Sequence, residues 1–142
     1  MISNAAILCL ALNIFWEARS EDREYGFMAL AAPALVVMNR VKSPEYPNNI
    51  CDVVKQAKTW KGNPVKNQCQ FSWFCDGKSD KPRDKKSWAW SQQIARLVLS
   101  GLLEDVTGGA THYHAHYVKP KWRTTKTFTI KIGSHLYYKK GT

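Results

Sequence analysis

The stretch "NAAILCLALNIFWEAR", residues 4–19, is the longest apolar run of this 142-residue chain. It is apolar on almost every side of a helical projection, which is typical of a helix buried in a core. Asn4 could cap this helix. The run is too short to span a membrane and contains Asn13. No basic residue precedes it and no small-residue cleavage site follows, so we predict a buried helix of the mature fold and no secretion signal.

Glu17 directly follows three large apolar residues, Ile14, Phe15 and Trp16. A carboxylate near the C-terminal end of a buried helix is desolvated and faces the negative end of the helix dipole, and both effects raise its pKa. A carboxyl group that keeps its proton near neutral pH can act as a general acid. The alternative is an ion pair with Arg19 or another surface cation. Position alone does not decide between these two roles.

Two further helical segments follow the first. Residues 26–41, "GFMALAAPALVVMNRV", predict a second buried helix, bent or interrupted at Pro33 because proline removes a helical hydrogen bond. Asn49 is expected to cap a short helix around residues 51–57. The next stretch, residues 58–84, is rich in Gly, Pro, Lys and Asp and predicts a long irregular segment.

The C-terminal part changes from helical to strand periodicity. Ser87 is expected to cap a third long helix. The pattern then alternates in "THYHAHYV", "TFTIKI" and "HLYY", which predict short strands. No repeat or linker interrupts the chain. We therefore predict one domain over residues 1–142, with an α+β fold: a mainly helical N-terminal part and a small antiparallel sheet in the C-terminal part.

The charge balance points to an anionic partner. Lys and Arg number 21 against 11 Asp and Glu, which gives a net charge of +10. Such a surface favours nucleic acid, anionic lipid or the acidic polymers of a bacterial envelope. A basic nucleic-acid-binding module is one hypothesis, but the basic residues are scattered through loops and no recognisable nucleic-acid motif is present. Composition alone does not choose among these partners.

The four cysteines are too few for a disulfide scaffold. Cys9 lies in the apolar run and is predicted to be a buried, reduced thiol. Cys51, Cys69 and Cys75 lie in polar, turn-rich sequence. One disulfide among these three, with the third left over, is expected if the protein works in an oxidising compartment.

Three histidines share one face of a predicted strand. His112, His114 and His116 alternate with Tyr113, which points to the opposite face and into a different environment. Three imidazoles can bind zinc. The alternative is a polar strand face whose histidines bond to backbone and solvent. Because no H-E-x-x-H or comparable spacing is present, we predict no metal, and a zinc-dependent amidase remains an alternative function.

The segment "QCQFSWFCDG", residues 68–77, alternates polar and aromatic side chains. Gln70 and Ser72 alternate with Phe71 and Trp73. A sugar site needs both kinds of group, since a pyranose has hydroxyl edges and apolar C–H faces. A hairpin that packs its aromatic rings explains the pattern equally well. Ser72 is a poor candidate nucleophile because no G-x-S-x-G surrounds it.

Several motifs occur together in a fixed order. They are "EAR", "VVMNRV", "YPNNICDVVKQ", "QFSW" followed by "DG", "GATHYHA", V-x-P-x-W and "IGSHLYY". In this order the chain resembles the cell wall hydrolase SleB family, the spore-cortex lytic enzymes and their bacterial and phage relatives, over residues 7–138. The resemblance implies a lysozyme-like fold and a lytic transglycosylase that cleaves the glycan strands of peptidoglycan.

The resemblance also implies roles for individual residues. Glu17 falls on the catalytic glutamate, and Tyr113 falls on a tyrosine on the substrate side. The glutamine-phenylalanine-serine segment of the family falls on Gln70, Phe71 and Ser72. We add His112 as a residue that holds the sugars, and Trp122 either stacks on a sugar ring or packs in the core. The expected reaction needs no metal or other cofactor.

Two further expectations complete the hypothesis. A muramidase would cleave the same bond with a second carboxylate, for which Glu21, Asp22 and Asp76 are the candidates. A bare catalytic domain without a signal resembles a phage endolysin, present in the host cytoplasm before lysis and acting in the periplasm or cell wall. The alternative location is the bacterial envelope. The resemblance implies peptidoglycan glycan strands and anionic envelope polymers as partners, with no nucleic acid and no membrane span, and we expect a monomer.

Overall fold

Four α-helices lie within residues 2–18 and 25–141, the part of the chain that this computed structural model describes. They are α1 (Asn4–Ala18), α2 (Phe27–Lys42), α3 (Ile50–Val54) and α4 (Lys85–Leu99). None of the helices in these ranges is long and apolar enough to cross a membrane. Three of them match the predicted segments closely, and the short α3 was expected around residues 51–57.

Two small antiparallel sheets complete the described fold. One is a hairpin of β1 (Ala57–Trp60) and β2 (Asn63–Cys69). The other contains β3 (His112–Ala115), β4 (Thr127–Ile132) and β5 (His135–Lys139) in the order β3-β5-β4. Two 3₁₀ helices, Ser72–Cys75 and Lys121–Thr124, lie in the connections. The predicted α+β fold, with helices first and a small antiparallel sheet last, is confirmed.

Helix α1 lies at the centre of the helical part and carries Glu17 in its last turn. Leu10, Ile14 and Phe15 are completely buried in the core formed with the other helices. The backbone N–H of Ala6 donates to Ser3 Oγ at 3.0 Å, so Ser3 and not Asn4 caps the helix. Because the apolar side chains surround the helix on most sides, its last turn carries Glu17 into the interior.

Helix α2 runs without a break through Pro33, so the predicted interruption is wrong. Proline removes one helical hydrogen bond, at a cost of about 3 kcal/mol in a helix interior. Here the residues on both sides, from Ala29 to Val37, are buried. Tertiary packing supplies most of the stability of a helix in a protein, and it outweighs the missing bond.

Two helix caps show how local hydrogen bonds set the helix starts. Asn49 accepts from the backbone N–H of Asp52 at 2.9 Å, which confirms it as the cap of α3. Helix α4 begins two residues before the predicted cap Ser87, because Asp84 accepts from the backbone N–H of Ser87 at 3.2 Å. The Ser87 hydroxyl also donates to Asp84, at 3.1 Å.

The β1–β2 hairpin corrects the prediction of a long irregular segment over residues 58–84. Its turn consists of Lys61 and Gly62, with φ of 51° and 81°. Two-residue turns with positive φ at both positions match the twist of the paired strands. The turn signal was present in the sequence "WKGN", but the flanking strands lack the apolar alternation that would have revealed it.

The structure contains two disulfides: the one predicted among Cys51, Cys69 and Cys75, which joins Cys69 to Cys75, and a second one. Cys9 is bonded to Cys51, which joins α1 to α3, and Cys69 is bonded to Cys75. The prediction that Cys9 is a reduced core thiol is therefore wrong, as is the prediction that one of the other three is left over. Cys9 and Cys51 lie 42 residues apart in sequence and meet only because α3 packs against α1.

We expect thiol counting on unfolded, unreduced protein to find no free cysteine. The two bridges should differ in their effect on the free energy of unfolding, because a longer closed loop restricts the unfolded chain more. Removing the Cys9–Cys51 bridge, with a separation of 42 residues, should cost about 4 kcal/mol. Removing the Cys69–Cys75 bridge, with a separation of 6, should cost about 2 kcal/mol. Urea unfolding of the two double serine variants measures both values, and free thiols in the unreduced protein would reject the pairing.

Candidate active site

A pocket of about 170 Å³ lies where α1, α2, the segment after β2, and β3 meet. It brings together six of the seven predicted site residues and adds one. The lining residues are Glu17, Arg40, Gln70, Phe71, His112, Tyr113 and Trp122. The seventh predicted residue, Ser72, is exposed at the start of the 3₁₀ helix and is not part of this lining.

Glu17 is held in the pocket by a hydrogen bond from the hydroxyl of Tyr113 to its Oε1. Burial raises the pKa of Glu17 above its ordinary value. The hydrogen bond from Tyr113 and the positive charge of Arg40 act in the opposite direction, with smaller effects. The net result is a carboxyl group that retains its proton to higher pH than an exposed glutamate. The alternative partner Arg19 lies outside the described residues.

Tyr113 alternates with His112 and His114 along β3, as predicted, but Tyr113 and His112 line the same pocket, so the prediction of a different environment is wrong. Its ring packs against Tyr137 and His135, with centroid distances of 5.4 and 5.2 Å. Burial and the neighbouring Glu17 carboxyl raise the pKa of Tyr113 well above its ordinary value. The phenol therefore stays neutral and acts as a fixed hydrogen-bond donor to Glu17.

Arg40 is the residue of the site that we did not predict. Only 4% of its surface is exposed. Its Nε donates to the Thr111 carbonyl at 2.8 Å, and its Nη1 donates to Gln70 Oε1 at 3.4 Å. The guanidinium carbon lies 5.0 Å from the ring centroid of Tyr46 and 5.3 Å from that of Phe71. These contacts fix a buried positive charge beside Glu17.

A hydrogen-bond network behind the pocket fixes α2 relative to β3. Nδ2 of Asn39, the neighbour of Arg40, donates to Asp105 Oδ2 at 3.0 Å and to the Ala110 carbonyl at 2.9 Å. Asp105 also accepts from the backbone N–H groups of Thr107 and Gly109. Burial alone would raise the pKa of Asp105, but these hydrogen bonds together lower it. The ionised carboxylate thus ties the end of α2 to the loop that leads to Tyr113.

His112 lines the pocket with a neutral imidazole ring. Burial, with the positive charges of Arg40 and Lys126, lowers its pKa to about 4. Its Nε2 lies 3.4 Å from the Tyr46 hydroxyl, and its Nδ1 lies 3.1 Å from Thr111 Oγ1. An imidazole that is neutral at physiological pH can hold a sugar hydroxyl, but it does not supply a proton there.

Trp122 reaches the pocket from the 3₁₀ helix before β4 and is half-buried. Its ring lies 5.1 Å from that of His112 and 5.7 Å from that of His114. A further ring contact joins Trp122 to Tyr138. Trp122 therefore packs against neighbouring rings and lines the pocket, and its stacking on a sugar ring stays a prediction.

The histidines do not form a ligand set in the structure. His114 is buried, and its two ring nitrogens lie 2.8 Å from the Ala115 carbonyl and the Tyr138 hydroxyl. His116 lies beyond the end of β3 and is exposed. Among residues 2–18 and 25–141, no group of three or more His, Cys, Asp or Glu side chains is placed to hold a metal ion.

The polar and aromatic residues of the segment after β2 separate as expected. Phe71 and Trp73 are buried, whereas Gln70 and Ser72 are exposed. Trp73 donates from Nε1 to Asn13 Oδ1 at 2.8 Å, which anchors the 3₁₀ helix on α1. The alternative of a hairpin in this segment is wrong, since residues 72–75 form a 3₁₀ helix.

The carboxylates proposed for a muramidase lie elsewhere. Asp76 Oδ1 accepts from the backbone N–H of Lys78 at 2.9 Å, and Asp76 does not line the pocket. Glu21 and Asp22 lie outside the described residues. Among the described residues that line the pocket, Glu17 is the only carboxylic acid.

Comparisons with known proteins agree with this architecture. A sequence model of the family described as cell wall hydrolase matches residues 24–138. The catalytic domain of the germination-specific lytic transglycosylase SleB from Bacillus anthracis has a TM-score of 0.68 and 24% identity, with 97% of each chain covered. The catalytic domain of the Bacillus cereus SleB protein has a TM-score of 0.69 and 23% identity, covering 98% of this chain and 93% of that one. No curated protein sequence matches significantly.

The two structural matches show a shared fold. The family match begins after Glu17. The matched region therefore does not include Glu17, whose chemical environment is given by the geometry of the pocket.

Proposed function

The chain belongs to the cell wall hydrolase family, and we propose that it is a lytic transglycosylase acting on the glycan strands of peptidoglycan. The observation that carries the proposal is the environment of Glu17. This carboxyl group is the only one in the described lining, its pKa is raised by burial, and two neighbours can stabilise its ionised form. One residue can then act first as an acid and then as a base.

In the proposed reaction, Glu17 donates its proton to the glycosidic oxygen between N-acetylmuramic acid and N-acetylglucosamine. The bond to the muramic anomeric carbon breaks, and the N-acetylglucosamine leaves with a free hydroxyl. The ionised Glu17 then takes the proton of the muramic 6-hydroxyl, whose oxygen attacks the anomeric carbon and closes a 1,6-anhydro ring. Glu17 returns to its protonated form without consuming water.

The neighbours of Glu17 support the second step. Once the carboxylate is ionised, the Tyr113 hydroxyl donates to it and the Arg40 guanidinium provides a nearby positive charge. Both favour the anion, as their effects on the Glu17 pKa show. Burial and these two neighbours therefore act in opposite directions, which suits a group that must change its protonation state twice in each cycle.

The remaining lining residues are suited to hold the sugars. Arg40 donates to Oε1 of Gln70, which leaves the NH₂ group of that amide as a donor for an acetamido carbonyl of the substrate. Neutral His112 offers a hydrogen-bonding edge, and Trp122 offers a ring face. We assign these three residues to substrate binding, whereas Ser72 could contact only a part of the glycan that extends beyond the pocket.

We propose a location outside the cytoplasm on the basis of the disulfides. Disulfide bonds persist in oxidising compartments and are rare in the cytoplasm. The two bridges support action at the cell wall, outside the cytoplasm. Release during phage-induced lysis stays a prediction, with a bacterial envelope enzyme as its alternative.

The product ends test the reaction directly. Purified peptidoglycan digested with the protein should release fragments that end in 1,6-anhydro-muramic acid, each lighter by one water than a fragment with a reducing end. Mass spectrometry distinguishes the two. Reducing ends would identify a muramidase that uses a second carboxylate, and intact glycan with released peptides would identify an amidase.

A further inference from the structure

The β1–β2 hairpin presents an exposed aromatic and basic surface. Trp60, at the end of β1, is 68% exposed, and most residues of both strands are exposed as well. A groove of about 540 Å³ runs along the hairpin and is lined by residues 58–61 and 63–65. An isolated two-stranded hairpin is marginally stable in water, and a large exposed ring does not help it to fold. These features point to a binding role.

The charges on the hairpin are all of one sign. Lys58, Lys61 and Lys66 are exposed, and residues 57–69 contain no acidic residue. The Lys61 ammonium lies 5.9 Å from the ring centroid of Trp60. A flat ring with cations around it is complementary to a polymer that carries both apolar sugar faces and carboxylates.

The hairpin is attached directly to the wall of the pocket. Strand β2 ends at Cys69, and Gln70 and Phe71, which follow it, line the pocket. The base of the hairpin is fixed by the Cys69–Cys75 disulfide and by the hydrogen bond from Gln70 N–H to the Gln56 carbonyl, 2.9 Å long. The six residues from Val65 to Gln70 span less than about 17 Å, the length of fully extended chain, because Asn67 has a φ of 62°. A polymer of several sugars can reach from the pocket to the hairpin.

We propose that the β1–β2 hairpin is an accessory binding site for the peptidoglycan strand that is cleaved in the pocket. Trp60 stacks on a sugar ring, and Lys58 and Lys61 pair with carboxylates of the peptide stems. This inference rests on the proposed function, because it takes the same polymer as its ligand. It explains how a small pocket can act on an insoluble polymer.

The test measures binding separately from cleavage. The Glu17→Gln variant should bind purified sacculi without cutting them, and adding Trp60→Ala should weaken that binding about tenfold, a loss typical of an aromatic contact residue. Tyr117→Ala is the matched control, because Tyr117 is 78% exposed and lies in the turn after β3, outside the hairpin. It should leave binding unchanged. In the active protein, Trp60→Ala should reduce cleavage of sacculi but not of short soluble glycan fragments.

A double lysine variant tests the inference in the case that Trp60→Ala disturbs the fold of the hairpin. Lys58→Gln with Lys61→Gln keeps the ring and should weaken binding at low salt but not at high salt, since salt screens exposed charges. Unchanged sacculus binding in both the tryptophan and lysine variants would overturn the inference. So would Trp60-dependent binding to phosphatidylglycerol vesicles alone, which would make the hairpin a membrane contact. Reducing ends in the digest would refute the transglycosylase reaction and leave the binding result standing.

Discussion

Glu17→Gln should lower the release of soluble fragments from peptidoglycan by at least about 10²–10⁴-fold, the range typical of general acid–base catalysis. The amide keeps the shape of the side chain and can still accept from Tyr113, but it has no transferable proton. A single group serves both proton transfers in the proposed reaction, so no other residue of the described lining can replace it. Turbidity loss of a sacculus suspension measures the effect.

The fold should survive this substitution. Burial raises the pKa of Glu17 above the ordinary value of 4.5, so the unfolded chain releases this proton at lower pH than the folded protein. The stability associated with protonated Glu17 is therefore lost as the pH rises from about 4.5 through the folded pKa. Glutamine does not ionise. At pH 8, Glu17→Gln should unfold at the same or a higher urea concentration than the wild type.

Asp76→Asn is the matched control for the loss of a carboxylate. Asp76 bonds to the backbone of its own turn and lies outside the pocket lining. Activity should change little in this variant. A large loss in Asp76→Asn, or an inactive Glu17→Gln protein that has also lost its cooperative unfolding, would contradict the single-carboxylate reaction.

The parts of the site that could be predicted are those set by nearby sequence or by the family resemblance. The environment of Glu17 follows from Ile14, Phe15 and the rest of α1, because a helix that is apolar on most sides carries its last turn into the core. The position of Tyr113 on the face opposite to His112 follows from the two-residue period of a strand. The resemblance then placed Gln70 and Phe71, which the folded chain brings to the same pocket.

The parts that could not be predicted depend on contacts between distant segments. In the sequence, Arg40 looks like an exposed residue at the end of a helix. Its burial depends on distant partners, among them the Thr111 carbonyl, 71 residues further along the chain. The Cys9–Cys51 bridge depends in the same way on the packing of α3 against α1. A buried apolar cysteine and a bonded one look alike in sequence. In each case the deciding partner is supplied by the tertiary structure.

Tyr113→Phe should lower kcat/KM roughly tenfold to a hundredfold, the effect of losing a hydrogen bond of about 1.5–3 kcal/mol to a charged group. The ring is kept, so its packing against Tyr137 and His135 should be preserved. What is lost is the donor that stabilises Glu17 when it has given up its proton. The variant should therefore be slow because the Glu17 carboxyl group gives up its proton less readily, and not because the substrate binds less well.

The pH dependence separates this role from a merely structural one. The hydrogen bond from Tyr113 lowers the Glu17 pKa, so its removal should raise that pKa. A general acid is active while protonated, and the alkaline limb of kcat/KM against pH should move to higher pH in Tyr113→Phe. Tyr46→Phe is the matched control, since it removes a hydroxyl that lies 3.4 Å from His112 Nε2 rather than one that bonds to Glu17. The alkaline limb of the Tyr46→Phe profile should not move. An equal shift in both variants, or none in Tyr113→Phe, would mean that the phenol does not tune the catalytic carboxyl group.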